Sequence, residues 1–345
     1  MPEFKAADFS ADWLRLREAA DARARASQLP DALMLAAAST WHDPERRFTE
    51  ILDLGAGTGA NLRYLAPRLG SGQRWRCIDQ NPRLLAQLPH ATAAWADRHD
   101  DPIQVELATA RLRFAGPGWN GQAQTEQRDL ALAPISTTAQ HSSPQSPPFP
   151  LTLAVGSLVT ASALLDLVSE AWLSALISHC QSAGCALLFA LSYDGRSTLT
   201  PARPEDQAVN ERVNQHQRGD KGFGPALGPT APDAAESMVA AAGYRWRSAK
   251  SDWRIGPDEP ELQQALIAGW VEATLELDPS ARAWLLEWQR ARQMQIKTGK
   301  LQIQVGHRDL MALPPERAKK RPQRRGVYPS RRPKRLAAQK PLNSD

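Results

Sequence analysis

Residues 51–59 read Ile51-Leu52-Asp53-Leu54-Gly55-Ala56-Gly57-Thr58-Gly59. A short apolar run ends in three glycines set two apart. The stretch that follows, GANLRYLAPRL at 59–69, has helical apolar spacing with Leu62 and Leu65 on one face. The expected structure is a buried strand that turns through glycine into a helix. Glycine lets the backbone turn sharply and come close to a ligand. Residues 73–79 (QRWRCID) are the next expected strand, and Asn81-Pro82 opens another helix, because Pro is tolerated in a first helical turn. Strand, glycine turn, helix, strand is a βαβ unit, and it implies a parallel sheet.

Two kinds of ligand compete for such a turn. Gly55, Gly57 and Ala60 formally fit the dinucleotide pattern. Asp53, two positions before the first glycine, argues against it, since a carboxylate there repels a pyrophosphate. A ligand bearing an ammonium and a sulfonium reverses that logic. At these residues the chain resembles the class I S-adenosylmethionine-dependent methyltransferases. The resemblance is carried by Leu52-Asp53-Leu54-Gly55-Ala56-Gly57-Thr58-Gly59 and by Cys77-Ile78-Asp79, and extends loosely over residues 45–310. Residues 158–168 and 214–229 also look like a bacterial group of undefined substrate.

The resemblance implies an α/β fold: a Rossmann-like, seven-stranded, mostly parallel sheet flanked by helices, whose last strand (300–310) is antiparallel. It implies S-adenosyl-L-methionine as cofactor, held by Asp53, Gly55, Ala56, Gly57, Gly59, Asp79, Gln80, Asp129, Leu130 and Thr160. In that set Asp79 accepts the ribose hydroxyls, Asp129 follows the third strand beside the adenine amino group, and Thr160, Ala161 and Ser162 follow the fourth strand near the transferred methyl. The sequence departs from the family at Ser157, where the fourth strand often carries an acidic residue. It also lacks the Asn/Asp-Pro-Pro-aromatic tetrad of many amino methyltransferases and the cysteine a cytosine C5 methyltransferase needs.

Outward from this motif, residues 10–40 read as helix capped by Ser10 and broken at Pro30, with Trp13, Arg17 and Arg23 placed to cover the pocket. The expected organisation is an N-terminal helical cap (1–44), a methyltransferase domain (45–314) with a Pro/Ser-rich insertion at 131–150, and a basic, disordered tail (315–345). Residues 151–168 read as a strand followed by a helix, 185–192 as a buried strand, and 201–230 as a long loop with one or two helical turns. A helix at 231–242, a strand at 244–255 and helices at 259–275 and 279–296 complete the expected elements.

The chain has 345 residues, 42% of them hydrophobic, enough for a sizeable core. No run of 18 apolar residues occurs, and the first residues lack a secretory pattern. Three sparse cysteines, Cys77, Cys180 and Cys185, read as buried thiols of a reducing, cytoplasmic protein. The net charge of +5 is set by residues 315–345, whose eleven Lys and Arg face only Glu316 and Asp345. The rest of the chain is mildly acidic, so contact with nucleic acid would have to come through residues 317–335. No histidine pair has metal-ligand spacing, and neither a hydrolase serine motif nor a phosphate-binding loop is present.

Methyl transfer from a sulfonium needs the nucleophile held in line, with a base for an alcohol or phenol. Asp166, Tyr193 and His216 are the catalytic candidates. Asp194, Asp220 and Lys221 lie near the same sheet edge, the last two readable as an exposed ion pair. The function expected is methyl transfer to oxygen or nitrogen of a small-molecule acceptor. An RNA acceptor delivered by the tail, a non-catalytic cofactor-binding scaffold and an NADP-dependent oxidoreductase are the alternatives.

Overall fold

Ile51–Leu54 is buried on both faces, which suits the middle of a parallel sheet, and the chain leaves it at Gly55 with a left-handed φ of 67°. The structure is a computed structural model, and it describes residues 9–40, 48–96, 103–110, 122–123, 125–130, 149–150 and 153–315. Helices α1 (Ala11–Ala24) and α2 (Gln28–Thr40) precede strand β1 (Glu50–Leu54). Then come α3 (Ala60–Leu65), β2 (Arg74–Asp79), α4 (Pro82–Leu85), α5 (Leu88–Ala96) and β3 (Gln104–Ala110). Strand β5 (Thr125–Leu130) falls between two short strands, β4 (Gln122–Ala123) and β6 (Phe149–Pro150), which pair with each other. Strand β7 (Leu158–Ser162), α6 (Glu170–Ala183), β8 (Ala186–Thr200), α7 (Asp206–Gln217) and α8 (Ala231–Ala241) follow. The remainder is β9 (Arg245–Lys250), β10 (Trp253–Ile255), α9 (Pro260–Leu277), α10 (Arg282–Lys297) and β11 (Gln302–Leu313).

The main sheet runs β10-β11-β8-β7-β1-β2-β3-β5, with β9 also on β11. Strands β3, β2, β1, β7 and β8 are parallel, and β11 returns antiparallel to β8. This is a Rossmann-like α/β sheet. The chain steps from β1 towards β3 on one side, then restarts at β7 on the other. The gap between the C-terminal ends of β1 and β7 is therefore the switch point, where open α/β sheets bind ligands.

Alternation along β1 sorts its side chains by face. Leu52 and Leu54 pack with Val159, Ala161, Phe189 and the apolar side of α6. Ile51 faces the other layer with Leu33 of α2 and Leu62 of α3, and Asp53 shares that side. Helix α6 starts at Ser169, whose Oγ accepts from the Trp172 N–H at 3.3 Å, and ends at left-handed Gly184. A third cluster joins α7, α9 and α10 to the far halves of β8 and β11, centred on Trp288, Leu199 and Ile303.

Several elements differ from the sequence reading. The N-terminal helix breaks at Arg25–Ser27, not at Pro30, which sits in the first turn of α2 where a missing N–H costs nothing. Residues 163–169 are a turn rather than a helix, tightened by Ala163 at φ 52°. Strand β8 runs on past the expected end at 192 to Thr200, so Tyr193 and Asp194 are strand residues. The loop expected at 201–230 contains the three-turn helix α7. The expected strand 244–255 is two pieces, both paired to β11 and interrupted at Ser251 and Asp252. That split, with β5 added at the edge of β3, makes nine strands in the main sheet where seven were expected. Most of the 131–150 insertion and all of residues 316–345 lie outside the described residues.

Candidate active site

The glycine turn is built for close approach. Gly55, Gly57 and Gly59 all have positive φ, at 67°, 54° and 87°. A Cβ on Gly57 would lie 2.9 Å from Leu14 Cδ1, and one on Gly59 2.7 Å from Leu88 Cγ. Arg63 braces the turn from α3, its Nη1 donating to the Thr58 carbonyl at 2.7 Å. At the end of β2, Asp79 receives the Gly57 N–H on Oδ2 and the Asn81 N–H on Oδ1, each at 2.8 Å. Burial raises its pKa, against the pull of those backbone donors. Asp79 therefore shapes the turn and also lines the cavity.

Behind the turn lies a buried polar chain. Asn61 Nδ2 donates to Asp53 Oδ1 at 2.7 Å and to Thr160 Oγ1 at 3.1 Å. Thr160 in turn donates to the Leu188 carbonyl at 2.7 Å. Arg25 Nη1 donates to Asn61 Oδ1 at 2.9 Å, and Arg25 Nε faces Asp309 Oδ2 at 3.5 Å. Asp309 also takes the N–H groups of Ala26 and Leu191, at 2.9 and 2.7 Å. Asp53 is fully buried, its Oδ2 has no partner, and burial pushes its pKa up to about 7 despite the Asn61 hydrogen bond and Arg25.

A cavity opens above the turn. Phe9, Leu14, Arg17 and Asp21 form one wall, Ser162, Ala163, Leu164 and Leu167 another, and Lys221 with Phe223 a third. Arg17 and Asp21 form a two-pronged pair, at 2.9 and 3.0 Å, and Trp253 Nε1 donates to Asp21 Oδ1 at 3.0 Å. The Arg17 guanidinium lies 4.7 Å from the centre of the Trp253 ring. Burial and the nearby Arg17 charge lower the His307 pKa to about 3, so its ring is neutral.

The cavity floor and rim contain Gly55, Ala56, Gly57, Asp79 and Gln80 from the expected cofactor set. Asp53, Thr160 and Gly59 stand behind them rather than at the wall. Asp129 and Leu130 do not follow a strand end. They are the last two residues of β5, which runs antiparallel to β3 and so places them opposite Glu106 and Val105 near the start of β3, away from the glycine turn. Ser157 precedes β7 at that same far edge, its Oγ 3.2 Å from Cys185 Sγ, so it faces no substrate pocket.

None of the three catalytic candidates is a wall residue. Asp166 is buried between wall residues Leu164 and Leu167 in sequence, its Oδ1 has no partner, and burial raises its pKa to about 6. Tyr193 gives its hydroxyl to Asn214 Oδ1 at 2.7 Å, and burial raises its pKa. His216 is held by Glu276 Oε2 at 2.7 Å. Asp220 and Lys221 do not come within 4.0 Å as an ion pair, and Asp220 Oδ1 takes the Gly222 and Gly224 N–H groups instead. Of the expected lid residues, Arg17 lines the cavity and Trp13 stacks edge-on with Trp253. Arg23 pairs instead with Glu259. The sequence reading missed Asn61, Arg25 and Asp309, which are brought together across 36 and 283 positions without any local pattern. Among the described residues no group of three His, Cys, Asp or Glu could hold a metal ion, and no helix is long and apolar enough to cross a membrane.

No family model and no curated protein matches the chain. In structure it is similar to a cyclopropane-fatty-acyl-phospholipid synthase-like protein from Lactobacillus casei, with 14% identity, 85% of this chain and 98% of that one covered, and a TM-score of 0.39. It is also similar to a cyclopropane synthase from Mycobacterium tuberculosis, with 11% identity, 82% and 83% covered, and a TM-score of 0.35. Another similar structure is phosphoethanolamine N-methyltransferase 2 from Haemonchus contortus, solved with S-adenosyl-L-methionine, with 13% identity, 82% and 52% covered, and a TM-score of 0.33.

Proposed function

We propose that the chain is an S-adenosylmethionine-dependent methyltransferase that acts on oxygen or nitrogen of a small-molecule acceptor. The observation that carries this is Asp79, fixed by the Gly57 and Asn81 N–H groups at the rim of a cavity at the switch point. A carboxylate so placed is suited to paired ribose hydroxyls. The residues present fit the cofactor. The left-handed glycines leave room for a close ligand, and behind them lies the buried Asp53 carboxyl, its Oδ2 without a partner. When bound, the cofactor supplies an activated methyl on a sulfonium. Leu14 and Arg17, which line the cavity, would cover it, keep water out and help to hold the acceptor in line. Among the three candidates for taking up a proton, Asp166 is the one with an unpartnered buried oxygen, Oδ1. The cover formed by α1 favours a small acceptor over a polymer.

Calorimetric titration with S-adenosylhomocysteine, alongside NADP, tests the reading. We expect micromolar binding of the first, weakened at least about tenfold in Asp79→Ala by loss of charge-assisted hydrogen bonds. Binding of NADP alone, or of neither ligand, overturns it.

A further inference from the structure

The cavity wall carries four charged side chains, Arg17, Asp21, Asp79 and Lys221. Arg17 and Asp21 neutralise each other. Asp79 is held by backbone N–H groups. Lys221 is left over. Among the described residues no carboxylate lies within 4.0 Å of its ammonium. Its hydrogen-bond contact among the described residues is with His216 Nδ1, at 3.4 Å. The other ring nitrogen of that histidine, Nε2, lies 2.7 Å from Glu276 Oε2. One of three ammonium protons is thus used, weakly, and two remain.

Lys221 is also held in place. Asp220 ties its loop through Gly222 and Gly224, Leu227 N–H donates to the Val168 carbonyl at 2.8 Å, and the Phe223 ring sits edge-on 5.7 Å from Trp172. Partial burial disfavours the charge and lowers the Lys221 pKa, with only the more distant Glu276 opposing. A half-buried ammonium with no carboxylate within 4.0 Å is a cost that a bound anion would reduce.

We propose that Lys221 anchors an anionic group, a carboxylate or a phosphate, on the methyl acceptor. This rests on the cofactor reading above, because the cofactor would occupy the floor of the same cavity. The cofactor carries a carboxylate of its own, so the test must separate the two sources.

The experiment uses the full chain, saturated with S-adenosylhomocysteine. Acetate, inorganic phosphate and neutral acetamide are titrated while the ε-carbon resonance of Lys221 is followed by NMR. Acetate or phosphate should shift it saturably and acetamide should not. Calorimetry should show anion affinity reduced at least about tenfold in Lys221→Met and retained in Lys221→Arg, as for loss of one charge-assisted contact. Anions that bind Lys221→Met as well as the parent, or fail to bind the parent, overturn the proposal. It is also overturned if Lys221→Met weakens S-adenosylhomocysteine but not methylthioadenosine, which lacks the amino-acid part, because Lys221 then serves the cofactor. If S-adenosylhomocysteine does not bind the parent at all, the cofactor reading falls, and the same titration of the free protein decides Lys221 separately.

Discussion

Asp53 is the residue whose chemistry the fold alters most. Its folded pKa is raised to about 7, so between about pH 4 and pH 7 the folded chain keeps a proton that the unfolded chain has released. Stability from this site is therefore greatest at low pH and falls as pH rises through that window. Asp166 and Asp79, also raised, push the same way. Asp53→Asn removes the titration while keeping an oxygen for Asn61. Urea midpoints should show the variant gaining on the parent from pH 5 to pH 8, by up to about 2.6 kcal/mol. A gap that does not change with pH would refute this. Gly57→Ala tests the turn. Its left-handed φ and the contact with Leu14 predict a loss of about 1–2 kcal/mol, read from the same midpoints, and weaker S-adenosylhomocysteine binding. The glycines and Asp79 were legible in sequence because each does its work within a few residues of its own strand end. Asp129 was misplaced because its short run fits an edge strand as well as a strand end, and only pairing with β3 decides between them.

At the scale of elements, α1 is attached to the body by ion pairs as well as by packing of Trp13, Leu16, Ala20 and Ala24. Glu18 pairs with Arg63, Arg23 with Glu259, and Asp21 accepts from Trp253, while Ala20 is its one fully buried residue. Each surface pair is worth about 0.2–1 kcal/mol and weakens in salt. Amide exchange in residues 11–24 should speed up in 1 M salt (roughly a 3 Å screening length), while β1 stays protected. Equal protection of both at high salt would show that α1 is held by packing instead. The break after α1 has a different character. Arg25 and Asp309 are both nearly free of solvent. Asp309→Ala strands the guanidinium, and the denaturation midpoint should report a loss of about 3–5 kcal/mol. Helix periodicity revealed α1, α9 and α10. It could not reveal this break, because the reason for it is a carboxylate 283 positions from Ala26. Helix α7 was hidden for another reason. Its polar sequence, DQAVNERVNQHQ, buries only Val209 and Val213.

For the whole molecule, charge is segregated along the chain, with a mildly acidic body and eleven basic residues after position 314. If residues 317–335 hold RNA, removing residues 316–345 should abolish its salt-dependent retention in filter binding, since Z lost phosphate contacts flatten the salt slope by about 0.9Z, and should leave S-adenosylhomocysteine affinity within about twofold. Loss of cofactor affinity in that deletion would tie the tail to the site. Asp309 carries a further consequence. It belongs to β11, the strand made after every other strand of the sheet, yet it clasps Ala26 near the beginning of the chain and Leu191 in the middle. During translation, the emerging protein can form the glycine turn early but cannot fasten the N-terminal helices over it until β11 has left the ribosome. A nascent chain short of that strand would hold an unfinished, leaky site, so competence to retain a ligand arrives late and in one step.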